Sequence, residues 1–392
     1  MHPRLILAGQ RHRIQRGHAW AYRNEIIDTS GSPQDGEVAD LFDRGNRFIA
    51  RGDFNGGATI AFRALTRRQE EIDESFWKAR IQKAAAYRSA MAPARESCRL
   101  VHSEADFLPG LIVDRYAGVM VMQTNTLAMD RRKRLLAGIL AGLFQPGAVL
   151  ENNTGSSRQM EKLEISSGPL IGEHAGPVRT RIGRAEFICD PLGAHKTGFY
   201  LDQQENYEIV AKYIRPGMRI LDGFCNLGGF ALHALLAGAG EAVAVESNSG
   251  SVELARKAAE LTGVEARLKL VAGNMFDYLR AAQKSAEKFD FIVLDPPSFC
   301  RTRKSVPEAR RGYKEIHLRA FKLLRPGGML ATFCCSYHVS QAVFLEFIME
   351  AARDARAVLR REAVLGAGPD HPVLPALPET EYLKGFVFTV VE

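Results

Sequence analysis

The stretch 218–230, MRILDGFCNLGGF, constrains the fold of this chain more than any other. An apolar run ends at Leu221, Asp222 closes it, and a glycine-bearing turn follows. From about Gly228 the residues Ala231, Leu232, Ala234 and Leu235 open a helix. Strand, turn and helix in that order aim helix amides at whatever the turn binds. Gly228 and Gly229 let the backbone bend and approach a ligand closely. The turn has neither the Gly-Lys-Ser/Thr ending of a phosphate loop nor Gly-x-Gly-x-x-Gly spacing. It begins with a carboxylate, which repels a pyrophosphate and suits an ammonium group. A second strand, Glu241 to Val245, ends in Glu246, where an acid can accept both hydroxyls of a ribose. An adenosine that carries an amino acid and no phosphate is S-adenosylmethionine. The competing readings are a nicotinamide-dinucleotide turn and a strand–turn–helix that binds nothing.

Strands and helices alternate from 217 onward. The predicted strands are Met218–Leu221, Ala242–Val245, Leu268–Val271, Phe291–Leu294 and Met329–Phe333, with helices over Val252–Leu261 and Ser305–Leu324 among them. Alternation of this kind gives an α/β fold with a parallel, doubly wound sheet, and such sheets bind ligands at the carboxyl ends of their strands. Two further strands, Val358–Val364 and Phe386–Val391, flank a proline-rich loop at 369–378.

The chemistry-bearing residues fall at those strand ends. After the third strand, Asn274 can bond an adenine edge and Met275 can pack on its face. After the fourth, Asp295, Pro296, Pro297 and Phe299 form a turn in which two prolines fix the backbone and remove two donors. Such a rigid acceptor site beside a carboxylate grips a planar base with an exocyclic amine; a purely structural double-proline turn is the alternative. The fifth strand ends in Cys334 and Cys335. Neighbouring side chains on a strand face opposite ways, so at most one thiol faces the site, and both as small buried residues is the usual fate of cysteine. A thiolate adding to C6 of a cytosine makes C5 nucleophilic enough to take a methyl group from a sulfonium, with Asp295 near N3 supplying or sharing a proton. The thiolate form is required, so a depressed pKa is expected.

Upstream, residues 1 to about 70 read as short strands, Arg4–Ala8, Glu37–Asp43, Arg47–Phe54 and Ala58–Leu65, a pattern that suits a small β-barrel. Residues 1–95 hold 16 basic and 11 acidic residues and so carry five of the chain's net charge of +7. The segment 11–23 mixes four arginines with Trp20 and Tyr22, which suits single-stranded or looped RNA; equally, the aromatics are core and the arginines a solvated face. A helix over 75–92 follows, with Phe76, Ala79, Lys83, Ala86 and Tyr87 at helical spacing. Then come strands at Leu100–His102, Leu111–Asp114 and Val119–Thr124, a helix over Met129–Leu143, and a strand at Val149–Glu151, which together make a middle α/β domain. A strand pair over 178–190 leads into a polar loop, 193–206, placed to cover the mouth of the nucleotide fold. No apolar run approaches the length of about 20 residues that spans a membrane. The amino terminus is too short in its apolar part for a signal peptide. None of the six cysteines has Cys-x-x-Cys spacing, so no metal site is expected, and a reducing cytoplasm is the simplest setting.

Nine blocks in order carry a resemblance: RGHAW (16–20), LPGLIVDRY (108–116), HKTGFYLDQ (195–203), DGFCNLGGF (222–230), DPPSF (295–299), RGYKEI (311–316), FCCS (333–336), DHP (370–372) and YLKGF (382–386). The chain resembles, over nearly its whole length, the RlmI-type family of large-subunit ribosomal RNA cytosine-5 methyltransferases. The resemblance implies an RNA-binding PUA domain at 1–70, a middle α/β domain at 75–175, and a Rossmann-like class I methyltransferase domain at 178–392. It also implies homodimers, S-adenosylmethionine as cofactor, and 5-methylcytosine in 23S rRNA or the large ribosomal subunit. Cys335 stands at the family's nucleophile position, and Cys334 where serine is usual. The implied cofactor residues are Asp222, Phe224, Asn226, Gly228, Glu246, Asn274, Met275, Asp295, Phe199, Asp202 and Gln203. Lys196, Arg311, Tyr313 and Lys314 are candidate RNA contacts, a solvated surface being the alternative for each, and Pro296, Pro297 and Phe299 are candidates to hold the base. Three departures stand out: Gln204 replaces an arginine, Asn274 an aspartate, and Ala19 a proline.

Two rival functions remain on sequence. One is methylation of another RNA base. A guanine-N7 group shares the Asp-Pro-Pro turn without the cysteine, and an adenine-N6 enzyme would carry an aromatic directly after Pro-Pro, where Ser298 stands. The other is an RNA-binding ribosome-assembly factor without activity, against which the intact set Asp222, Glu246, Asp295 and Cys335 speaks.

Overall fold

The computed structural model describes residues 2–9, 13–93, 95–174, 176–193, 198–300 and 302–391. The chain divides into two compact units. One comprises residues 1–178 with 189–201 and 369–380; the other comprises 179–188, 202–368 and 381–392.

The first unit contains two sheets. Strands β1 (Arg4–Leu7), β2 (Trp20–Tyr22), β3 (Ile26–Ser30), β4 (Val38–Phe42), β5 (Phe48–Phe54) and β6 (Ile60–Thr66) form a six-stranded sheet in the order β2-β6-β5-β4-β1-β3. β1 and β4 are parallel in it. Its core is Leu5, Leu7, Ile14, Leu41 and Phe62, all essentially without exposure. The short strands β2 and β3 carry no alternating signal, β3 being almost wholly exposed, and the sequence pattern misses both.

Helix α1 (Glu74–Met91) starts on Asp73, whose side chain accepts from the Phe76 amide. It buries Phe76, Trp77, Ile81, Ala84 and Arg88. The expected stripe is therefore wrong beyond Phe76: Ala79, Lys83, Ala86 and Tyr87 are exposed. The buried face instead runs through Arg88, held by the Asp106 carboxylate and by the carbonyls of Arg99 and Asp370. Strands β7 (Ser97–His102), β8 (Leu111–Tyr116) and β9 (Val119–Thr124) follow. The expected single helix is two, α2 (Leu127–Arg131) and α3 (Lys133–Phe144). The break is at Arg132, whose guanidinium donates to Asp53 at 2.8 Å and lies 5.0 Å from the Trp77 ring centre. Strand β10 (Ala148–Asn153), the short helix α4 (Ser157–Met160) and strand β11 (Ser166–Gly172) complete a five-stranded sheet, β11-β10-β9-β8-β7. β11, an edge strand with Gly168 and Pro169 inside it, gives no strand signal in sequence.

In the second unit, β12 (Val178–Ile182) and β13 (Ala185–Cys189) form the expected pair, and α5 (Gln204–Ala211) leads to the central sheet. There follow β14 (Arg219–Gly223), α6 (Gly229–Leu236), β15 (Glu241–Glu246), α7 (Ser249–Thr262), β16 (Leu268–Ala272), α8 (Met275–Lys284), β17 (Phe289–Leu294), α9 (Val306–Leu323), β18 (Leu324–Cys334), α10 (Gln341–Ala355), β19 (Leu359–Gly366) and β20 (Lys384–Val390). The sheet order is β16-β15-β14-β17-β18-β20-β19. The first five strands are parallel, and β20 and β19 add antiparallel. The expected all-parallel sheet is thus mixed at one edge.

The interior strands explain themselves chemically. Ile220, Leu221, Val243, Val245, Phe291, Ile292 and Leu294 are all fully buried, as strands covered by helices on both faces must be. Each such side chain contributes roughly 1.5–3 kcal/mol by leaving water. Register sets Gly223 beside both Val245 and Leu294, and Leu294 beside Thr332. The turns after β14, β15, β17 and β18 therefore open along one rim.

Candidate active site

The turn after β14 is held by hydrogen bonds from two directions. Phe224 (φ 63°), Asn226 (φ 50°) and Gly228 (φ 80°) all take left-handed conformations. The Cys225 amide donates to the Val245 carbonyl at 3.0 Å and the Asn226 amide to Glu246 Oε2 at 3.0 Å. Glu246 Oε1 also accepts from the Asn248 amide at 2.8 Å. Glu246 thus ties the turn to β15 with Oε2 and the start of α7 with Oε1.

Asp222 lies beneath the turn, without exposure. Its Oδ2 accepts from the Ala231 amide at 2.9 Å and so holds the start of α6. Among the described residues its buried Oδ1 has no hydrogen-bond partner. Burial first, then the negative charges of Asp295 and Glu246, push its carboxyl up to about 8. Three acids and one unsatisfied buried oxygen fit a cationic ligand, because an ammonium group supplies both the missing donor and the missing charge.

Four other residues serve the fold in ways the pattern did not foresee. Gly229 does not make room for a ligand: a side-chain carbon there would lie 2.5 Å from the Tyr207 ring, which packs on it from α5. Met275 does not present a face to solvent. It is buried, and its Cε fills the space over Gly223, where a Cβ would stand 2.7 Å away. Asn274 caps α8, its Oδ1 accepting from the Phe276 amide at 2.8 Å, so the oxygen expected at an adenine edge is already engaged. Phe224 is half-buried, its ring 6.4 Å from Phe276 and 6.5 Å from Phe299.

The neighbouring strand ends differ. Asp295 is half-buried, and its Oδ2 accepts from Gln203 Nε2 at 2.9 Å. Gln203 is itself held by Asn206, whose amide nitrogen donates to Gln203 Oε1 at 2.6 Å and to the Gly366 carbonyl at 2.8 Å. Sequence reading gave Asn206 no role; only the fold brings it to Gln203. Asp202 accepts from the Tyr382 hydroxyl at 2.6 Å, and its carbonyl from the Gly368 amide at 2.9 Å. Pro296 is buried; Pro297 and Ser298 are exposed. Ser298 shares a 2.9 Å hydrogen bond with Ser336. Phe299 is half-buried, 4.8 Å from Tyr313, and Gly312 leaves α9 room to pass it.

Of the two thiols, Cys334 is fully buried within the apolar cluster and Cys335 is half-buried. Tyr313 is not on the surface: it is wholly buried between Phe299, Phe344 and Phe347, so it is no RNA contact. Lys314 is paired with Asp354 at 2.7 Å, while Arg311 is exposed. Lys196 lies outside the described residues. Phe199 belongs to the first unit, where it is buried and its amide donates to the Tyr116 hydroxyl at 3.1 Å. Among the described residues no cluster of His, Cys, Asp and Glu could hold a metal ion, and no helix is long and apolar enough to cross a membrane.

In the first unit, Trp20 is spent on packing: its indole nitrogen donates to Glu104 at 2.9 Å and its ring meets His18 edge-on. Tyr22 carries the Arg13 guanidinium 4.0 Å over its ring. Arg13, Tyr22, Arg23 and Asn24 line an open hollow of about 880 Å³.

A parallel sheet whose first strand ends in a buried carboxylate and a glycine turn, and whose second ends in an acid, defines the class of S-adenosylmethionine-dependent methyltransferases. The family model of that description matches residues 183–388, and the PUA-like domain model matches residues 6–67. A Streptococcus mutans protein assigned as a methyltransferase of this kind has a solved structure. It superposes with a TM-score of 0.84 over 99% of this chain and 100% of its own, at 16% identity. A second methyltransferase structure, solved with SAH, gives 0.85 over 99% of this chain and 100% of its own, at 17% identity. Ribosomal RNA large subunit methyltransferase I of Klebsiella pneumoniae is 33% identical over 99% of this chain and 98% of its own length. The Aeromonas hydrophila protein of that name is 34% identical over 97% and 98%. The chain belongs to the ribosomal RNA large subunit methyltransferase I family.

Proposed function

We propose that this protein transfers a methyl group from S-adenosylmethionine to C5 of a cytosine in 23S rRNA, through a covalent bond between Cys335 and C6. The observation that carries the reading is the half-buried thiol of Cys335 at the end of β18, on the rim that also bears Asp295, itself oriented by Gln203. S-adenosylmethionine, when bound, supplies an electrophilic methyl group on a sulfonium. Asp222 and Glu246 would take its amine and ribose ends, Phe224, Asn226 and Gly228 would shape the turn between them, and Asn274 would border the adenine. Cys335 Sγ adds to C6, and Asp295 holds the proton at N3 that stabilises the adduct. Phe299 and the Pro296–Pro297 turn form the wall for the base.

The RNA-binding surface of the amino-terminal part is the hollow of Arg13, Tyr22 and Arg23, where the Arg13 guanidinium already lies on an aromatic face, paired with Glu25, and Arg23 is exposed beside it. Arg311 contacts phosphate beside the site. We further read the protein as a cytoplasmic homodimer acting on the large ribosomal subunit or its RNA; light scattering of the purified protein tests the dimer.

The deciding experiment supplies labelled S-adenosylmethionine with 23S rRNA lacking native modifications, followed by nucleoside analysis. Label in 5-methylcytosine is the expected result. Label in another nucleoside removes Cys335 from its role. No label on free RNA, with label on large-subunit particles, moves the substrate to the assembled particle.

A further inference from the structure

Lys384 opens β20 and is 6% exposed. In the β18–β20 ladder it stands opposite Cys334. Its Nζ donates to the Ser336 carbonyl at 2.7 Å. Its contacts therefore fall on the residues at either side of Cys335. We propose that the buried ammonium of Lys384 is a positioning residue for Cys335, holding its thiol as the thiolate that attacks. This rests on the reading of Cys335 as nucleophile.

The argument is one of missing charge. An ammonium group has three donors, and a single carbonyl is a poor counterion for a cation taken out of water. Among the described residues no carboxylate lies within ion-pair distance of Lys384. The titratable groups that act on it are Cys334 and Cys335 at the end of β18 and Glu381 just before β20; from α9, the Tyr313 hydroxyl lies 3.5 Å from Ser336 Oγ. Burial lowers the Lys384 pKa, while the thiols and Glu381 raise it. The tyrosine cannot supply the anion, because burial and the nearby thiols hold its hydroxyl far above the usual range. Of the two thiols, Cys334 is fully buried within the apolar cluster. Cys335 is half-buried, and a neighbouring lysine lowers a thiol's pKa.

The chemistry balances around this charge. Cys335 loses its proton to solvent, and the sulfur pair forms the bond to C6. The C5–C6 pair moves to C5, which bonds the methyl carbon as the old carbon–sulfur pair stays with the departing thioether sulfur. Loss of the C5 proton restores the double bond and expels the thiolate. Lys384 thus faces an anion at the start and at the end of the cycle.

The test is the pH dependence of iodoacetamide alkylation at Cys335, read by mass spectrometry on the ligand-free protein, for wild type, Lys384→Gln and Lys384→Arg. The other five cysteines are buried and serve as internal references. Wild type should titrate below the ordinary thiol value of about 8.5. Lys384→Gln should move the midpoint up by about one unit and slow alkylation at pH 7 roughly tenfold. Lys384→Arg should restore most of it. An equal midpoint in folded Lys384→Gln and wild type overturns the proposal. So does a wild-type midpoint at or above about 8.5, which needs no variant to fold. Methyl transfer by Cys335→Ala would sink the nucleophile reading instead, and the alkylation midpoints would still report on Lys384.

Discussion

The two halves of the rim in the second unit use their side chains in opposite ways. At the ends of β14, β15 and β16, the residues that look like ligand contacts are spent on the fold. Asp222 holds α6, Glu246 ties the turn to its own strand, Asn274 caps α8, and Met275 fills the space over Gly223. At the ends of β17 and β18, Asp295 and Cys335 stay partly open, Asp295 accepting from Gln203 and Ser298 sharing a hydrogen bond with the buried Ser336. The first half presents a shaped backbone with one unsatisfied oxygen. The second presents reactive groups. Substitutions in the first should therefore register as stability and cofactor affinity, and substitutions in the second as turnover.

The sharpest break between the halves is Cys335→Ala. Turnover should fall by about a thousandfold or more, with thermal stability and cofactor affinity unchanged, as assayed by methyl transfer and calorimetry. Methylation at the wild-type rate would end the covalent reading. Met275→Ala should do the reverse, costing about 2–5 kcal/mol of unfolding free energy by denaturant titration; a stability near wild type would mean the turn does not depend on that contact. Asp295→Asn should lower turnover about a hundredfold, with unfolding midpoints unmoved.

Asp222→Asn probes the first half by pH. With the Asp222 carboxyl raised to about 8 in the folded protein, the folded state binds a proton that the unfolded chain has released above its ordinary acid range. Stability therefore falls as pH rises from about 4 to about 8. The asparagine variant lacks that slope. In urea titrations its stability relative to wild type should improve steadily across the window, while its cofactor affinity drops. A constant gap would show that the carboxylate is compensated in the ligand-free protein. The smallest effect is expected of Cys334→Ser: about 1 kcal/mol lost for a hydroxyl in an apolar cluster, with turnover close to wild type. A dead Cys334→Ser beside an active Cys335→Ala would exchange the two thiols.

Legibility followed burial. The interior strands, from Ile220 to Leu294, are continuous apolar runs that only a covered parallel sheet accommodates, and the sequence reveals them to within a residue or two. The edges were hidden. β2 is three residues long, β3 is almost wholly exposed, and β11 is an edge strand with Gly168 and Pro169 inside it, so none carries a run of apolar or alternating residues long enough to read. The stripe of α1 was misjudged because its buried face includes Arg88, which only the carboxylate and carbonyls around it make tolerable.

The sequence by itself determined the class: strand–turn–helix order, an acid after each of two strands, Asp-Pro-Pro after a third and paired cysteines after another, because local pattern places each at a strand end. Tertiary structure alone decided which of those groups remain available. Whether Gly229 makes room for a ligand or for Tyr207, whether Tyr313 meets RNA or Phe344, and whether Lys384 finds a carboxylate or the Ser336 carbonyl are matters of which distant element packs there. A side chain's chemistry is written in the chain, but the neighbours that spend it or leave it free arrive only with the fold.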